Sequence, residues 1–156
     1  MSAFIVAINL VLVAIYVGFS MYWVDSSSDW WNSLKRPAWQ PPDVIFGLIW
    51  PYNFFMLCFA AFVIGNSGNA SHQIEWTAIF AVTVAGATWW GYEFYVSRVF
   101  KRAAVALVAT AIMTLPLMAI MLQTNVTLFW LLVPYQVWLA TAASLAIGYW
   151  NLNPRN

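Results

Sequence analysis

From Phe4 to Tyr22 the chain runs without an Asp, Glu, Lys, Arg or His, and four more apolar runs of similar length follow it. A membrane-spanning helix needs about 20 predominantly apolar residues. The runs at 4–22, 44–64, 76–96, 103–122 and 126–150 meet that requirement. Only 7% of the chain is charged and 63% is hydrophobic, whereas soluble domains carry roughly 25% charged residues. A water-soluble fold of this length could not cover its surface, so a bilayer is the expected solvent. The expected fold class is an all-α membrane protein, a five-transmembrane-helix bundle forming one domain over residues 1–156. The first run has no basic residues ahead of it and is too long for a secretory leader, so it is read as a retained helix.

Charge placement orients the bundle. The basic residues are Lys35, Arg36, Arg98, Lys101, Arg102 and Arg155. With five spans, all of them fall on the side shared by the first loop, the third loop and the carboxyl terminus. The other side holds His72 and Glu75. The positive-inside rule then predicts a cytoplasmic first loop and carboxyl terminus, with the amino terminus outside. The net charge of +1 gives no sign of nucleic-acid binding. Cys58 is the only cysteine, so no disulfide can form within one chain.

The segment WWNSLKRPAWQPPDVIFGLIW, Trp30 to Trp50, crowds indoles and prolines at one membrane boundary. Proline suits a first helical turn, where its missing N–H is not needed. An acidic side chain there favours the helix dipole. Pro41-Pro42-Asp43 therefore marks a helix start. Pro51 and Pro116 fall inside spans and are expected to bend them, and Pro134 lies near the start of the last. Phe46, Trp50 and Phe54 recur every four residues and share a stripe. Tyr135, Trp138, Ala142, Leu145 and Tyr149 share another, and Trp89, Trp90, Phe94 and Tyr95 cluster late in the third span. Tryptophans at span ends fit an interfacial belt, but Trp50 and Trp138 lie some turns inside. Converging aromatic faces in a low-dielectric slot suit a flat, largely apolar ligand such as a tetrapyrrole or steroid.

Other chemistry is thin. His72 has no neighbouring His or Cys, so no protein-built metal site is predicted and haem ligation by it is disfavoured. No Ser-His-Asp or Cys-His set assembles on one side, so no catalytic residues are assigned. Glu93, late in the third span, is read as an interfacial carboxylate with a basic neighbour. Leu145, Tyr149 and Arg155 fit a weak sterol-contact pattern.

Trp31, Leu34, Arg36, Pro37, Trp39, Pro41, Pro42, Phe46 and Trp50 follow, in register, a pattern close to W-x-x-L-x-[KR]-P-x-W-x-P-P-x-x-x-F-x-x-x-W. Pro134, Tyr135, Trp138, Ala142, Leu145, Trp150 and Asn153 match a second pattern on the last span. In both the chain resembles the TspO/MBR family, the tryptophan-rich sensory and translocator proteins. The resemblance implies a five-helix bundle, often a homodimer, with a pocket capped by the first loop. Porphyrins, haem, cholesterol and benzodiazepine-type drugs are its expected ligands, with no obligatory cofactor. Mapped by motif, the pocket residues are Trp31, Trp39, Pro42, Phe46, Trp50, Phe54, Trp138 and Ala142, to which the last-span stripe adds Tyr135. The chain departs from the family pattern at Ala146, Ala87 and Phe54, where polar groups are usual. The function these readings favour is a sensor, regulator or carrier of tetrapyrroles rather than an enzyme. Light- and oxygen-dependent porphyrin degradation is the alternative.

Overall fold

The computed structural model describes residues 2–24 and 29–154. Within them the chain is helical, with no strand. The helices are α1 (Ser2–Tyr22), α2 (Asp29–Ser33), α3 (Asp43–Gly65), α4 (Ala70–Gly91), α5 (Phe100–Thr124) and α6 (Val126–Leu152). A single π-helical segment, Tyr92–Val96, continues α4. The five long helices close into a ring in which neighbours touch in the order α1, α4, α5, α6, α3 and back to α1.

Helix ends follow local chemistry. Asp43 opens α3 directly after Pro42. The Asn69 side chain accepts from the His72 N–H at 3.1 Å and caps α4, and Asn125 does the same for α6 through Leu128 N–H at 2.9 Å. Such caps satisfy amide groups that a helix start leaves without partners. The α5–α6 connection is a single residue: α5 runs to Thr124, and Asn125 alone separates it from α6.

Four helices, α1, α3, α5 and α6, are long and apolar enough to cross a membrane. The third expected span differs. Its helix starts earlier, at Ala70, and carries Ser71, His72, Gln73 and Glu75 in its first turns. These polar residues, with Thr77, Thr83 and Thr88 further along, hold α4 below the hydropathy of a lipid-facing span. Two of them, Gln73 and Thr77, find partners on neighbouring helices. Thr77 Oγ1 donates to Gln73 O at 2.7 Å and accepts from Asn9 Nδ2 at 2.8 Å. Gln73 Nε2 donates to Gly65 O at 3.0 Å. Between α5 and α6, Gln136 Nε2 donates to Ala111 O at 3.0 Å. Interhelical bonds of this kind contribute about 0.6–2 kcal/mol each in a bilayer.

At the end of the ring near the α3–α4 turn, Ile64, Trp76, Phe80, Leu117, Met121 and Leu132 fill the interior and are almost wholly buried. Large apolar side chains also face outward along the long helices, among them Phe55, Phe59, Val82, Ile112 and Val137. A bilayer is the environment that covers such surface without a free-energy cost. The first loop, the α4–α5 connection and the end of α6 meet at the opposite end. There Arg98 stands 4.5 Å from the Trp30 ring and Lys101 5.9 Å from the Trp150 ring. Arg98 adopts φ 57, a left-handed conformation that costs a side chain roughly 1–2 kcal/mol. Its contact with Trp30 offsets part of that cost.

Candidate functional site

At that same end the ring is hollow. A cavity of about 410 Å³ opens between the last turn of α1, the first loop, and α3, α4 and α6. Phe46, Trp50 and Phe54 supply one wall from α3, because a spacing of four keeps them on one stripe. Trp138, Ala142, Leu145, Ala146 and Tyr149 supply the facing wall from α6. The walls meet edge to face: the Trp138 ring lies 4.9 Å from Phe46 and 6.3 Å from Trp50, both near perpendicular. Trp50 and Phe54 stack at 5.4 Å, and Tyr16 of α1 backs both rings at 5.9 and 5.3 Å.

Trp90, Phe94 and Tyr95 make the third wall. Ser97 N–H donates to Tyr92 O at 3.0 Å, an i to i+5 bond that widens the turn. As a result Trp90 touches both Phe94, four residues on, at 6.0 Å and Tyr95, five residues on, at 6.2 Å. Glu93 sits in this turn and is 4% exposed. Its Oε1 accepts from Trp89 Nε1 at 3.0 Å and lies 3.7 Å from Arg102 Nη1. The expected basic neighbour is therefore present, but the carboxylate is buried and the arginine is the side chain that reaches out.

The first loop roofs the cavity and is fastened to α6. Trp31 lines the cavity and packs on Tyr149 at 5.8 Å and Tyr95 at 6.0 Å. Tyr149 Oη donates to Gln40 Oε1 at 2.6 Å. Trp39 Nε1 donates to Ser144 Oγ at 3.2 Å. Pro37 and Trp39 lie so close to Gly148 that a Cβ there would meet Pro37 Cγ at 2.7 Å and Trp39 Cζ2 at 2.9 Å. Ser144 and Gly148, two members of a small-residue line on α6, thus seat the loop.

Six of the expected pocket residues line the cavity: Trp31, Phe46, Trp50, Phe54, Trp138 and Ala142. Three do not. Trp39 rides on the outer face of α6 and is 57% exposed. Pro42 is spent as the residue capping α3 and is exposed. Tyr135 is buried one turn beyond Trp138, where its hydroxyl faces that of Tyr16 rather than the cavity. Of the sterol-pattern residues, Leu145 and Tyr149 line the cavity and Arg155 lies outside the described residues. Sequence reasoning did not assign Trp90, Phe94, Tyr95 or Gln40 to the site. The clustering of the first three was visible, but the π turn that gathers them was not.

At the positions where the chain departs from the family pattern, Ala146 and Phe54 face the cavity, and Ala87 is buried behind it. The lining is therefore mostly hydrocarbon and aromatic ring, with Gln40 and Tyr149 giving polarity at the roof. His72 lies at the far end of the ring, where Nδ1 shares a hydrogen bond with Thr124 Oγ1 at 3.1 Å. No three His, Cys, Asp or Glu side chains come together among the described residues.

Comparison with known proteins agrees over almost the whole chain. The chain is 25% identical over 147 residues to the tryptophan-rich protein TspO of Bacillus cereus, covering 91% of this chain and 95% of that one. It is 28% identical over 138 residues to protein CrtK of Rhodobacter capsulatus, covering 83% and 81%. It is also 28% identical over 126 residues to the translocator protein of Ovis aries, covering 80% and 75%. Residues 5–151 match the model of the TspO/MBR family. With its apolar helices and its pattern of tryptophans, the chain is an integral, multi-pass membrane protein that belongs to the TspO/MBR family.

Proposed function

We propose that the cavity binds a flat, largely apolar guest of the porphyrin or haem type, with sterols as a second class, and that the protein acts as a sensor, regulator or carrier of that guest. One observation carries this reading: aromatic rings from three separate helices and the first loop wall a single hollow of about 410 Å³. That size is within the range of small-molecule sites, roughly 300–1,000 Å³. Ring faces and edges add about 0.5–1.5 kcal/mol per aromatic pair beyond area burial.

Titration of the purified protein with protoporphyrin IX and with haem, followed by tryptophan quenching, tests the reading. Saturable quenching that weakens on replacing Trp50 or Trp138 supports it. Binding indifferent to both replacements sinks the proposed cavity.

In this reading α4 is the fifth span, shielded from lipid on its polar side by α1 and α5. The basic end of the bundle faces the cytoplasm, and two copies pair as a homodimer. Cysteine accessibility from each side of sealed vesicles, and the mass of the protein in detergent, test these three points.

Porphyrin breakdown driven by light and oxygen is a second reading. The observation favouring it is the contact chain Tyr16–Trp50–Trp138 beside the cavity, since such rings can pass an oxidising equivalent. Illumination of the complex should then yield a new absorbing product faster than free porphyrin does. Equal rates retire the idea.

A further inference from the structure

We propose that the roof of the cavity is an acid-binding site, in which Arg36 and the Gln40 carboxamide hold a carboxylate of the guest while its flat body lies among the rings. The proposal deepens the reading given above and rests on it.

The argument begins with polarity. An ionised carboxylate cannot be placed among hydrocarbon and aromatic rings without a large desolvation cost. A guest with an apolar body and an acidic edge must keep that edge where donors are. The cavity lining has polar side chains at few places, and the loop end holds Gln40 and Tyr149 together. Tyr149 Oη donates to Gln40 Oε1 at 2.6 Å, which fixes the carboxamide with its oxygen occupied. The two N–H donors of Gln40 Nε2 make no hydrogen bond within the described chain.

The second observation is the distribution of cations at this end. Arg102 is paired with Glu93, the one ion pair within 4.0 Å among the described residues. Arg98 stands over Trp30 and Lys101 over Trp150, neither of which lines the cavity. Arg36 differs: its Cζ lies 5.4 Å from the ring of Trp31, a wall of the cavity that itself packs on Tyr149. It is exposed and, among the described residues, has no carboxylate within ion-pair distance. Among the described residues Asp29, Asp43 and the paired Glu93 are the acidic groups at this end of the bundle, and Lys35, Arg36, Arg98, Lys101 and Arg102 outnumber them. A guanidinium presents paired N–H donors that match a carboxylate. Arg36, Trp31, Tyr149 and Gln40 thus form a continuous run from cation to ring to amide along the cavity roof.

The test compares two guests with the same rings: protoporphyrin IX and its dimethyl ester, which lacks the negative charges. Binding is measured in lipid nanodiscs against empty discs, for wild type, Arg36→Gln and Gln40→Leu. Wild type is expected to prefer the acid by about five- to tenfold at low salt, and the preference should shrink as salt screens it. Arg36→Gln should lower acid affinity more than ester affinity and so remove most of the preference. Gln40→Leu should remove part of it. Equal affinity of wild type for acid and ester overturns the acid site while leaving the aromatic cavity intact. Acid preference that survives Arg36→Gln also overturns it. If wild type binds neither compound, the underlying reading of the cavity has failed instead.

Discussion

Asn153 and Lys35 grip each other twice: Lys35 N–H donates to Asn153 Oδ1 at 3.0 Å, and Asn153 Nδ2 donates back to the Lys35 carbonyl at 3.0 Å. One carboxamide at the end of α6 thereby serves as a backbone partner for the first loop, far away in sequence. The same nitrogen donates to Tyr149 O at 2.9 Å, which anchors the pair to the helix. With the Trp39–Ser144 and Tyr149–Gln40 bonds, it fastens the roof of the cavity along one edge.

Asn153→Ala should therefore loosen the roof and leave the bundle folded. Three hydrogen bonds are lost, two of them to the loop, each contributing about 0.5–1.5 kcal/mol. Tryptic cleavage after Lys35 should become several-fold faster, and a bound porphyrin should dissociate faster. An unchanged cleavage rate would show that the other two bonds suffice.

Gly148→Ala should disturb the same seam by crowding. The atoms a new Cβ would meet belong to the rings of Pro37 and Trp39, which cannot swing aside as a flexible chain end can. A cost of about 1–3 kcal/mol is expected, read as a lower thermal midpoint in detergent. Gly18→Ala is the control, since a Cβ there meets nothing within 4 Å. That change should be neutral or stabilise α1 by up to about 1 kcal/mol. Equal losses from both substitutions would contradict the close approach of loop and α6.

Trp50→Ala and Trp138→Ala should each weaken porphyrin binding by about 1–3 kcal/mol, the scale of one large apolar side chain and its ring contacts. Trp130→Ala should leave affinity unchanged, because that indole faces outward and is 66% exposed. Quenching titrations on the three variants separate a cavity from a general affinity of indoles for porphyrin.

Asn53→Leu should not destabilise the fold and is expected to raise its thermal midpoint. Asn53 is fully buried on α3, and among the described residues neither its Oδ1 nor its Nδ2 has a hydrogen-bond partner. An unsatisfied buried amide costs about 1–3 kcal/mol, and leucine of similar size removes that cost. A marked drop in the midpoint on unfolding in detergent would mean that Asn53 does find a partner in the bilayer.

That this chain is a bundle of long apolar helices follows from its residues read one segment at a time. Runs of about twenty apolar residues admit no other structure in lipid, because every backbone amide must be paired within its own segment. The same reading determined which residues share a stripe, since helical spacing is local: Phe46, Trp50 and Phe54 on α3, Trp138 and Ala142 on α6. The motif residues were enough to name the family. Which stripes face each other and which face lipid was not legible in the residues, because that depends on how helices distant in sequence pack. Packing kept Trp31 in the cavity, moved Trp39 onto the outside of α6, spent Pro42 on a helix start and buried Tyr135 behind the wall. It also made room for the polar α4, whose Thr77 and Gln73 side chains find interhelical partners because α1 and the end of α3 lie against them. The widened turn at Tyr92–Val96, which brings Phe94 and Tyr95 to the site, depends on a backbone bond pattern that no residue spacing announces.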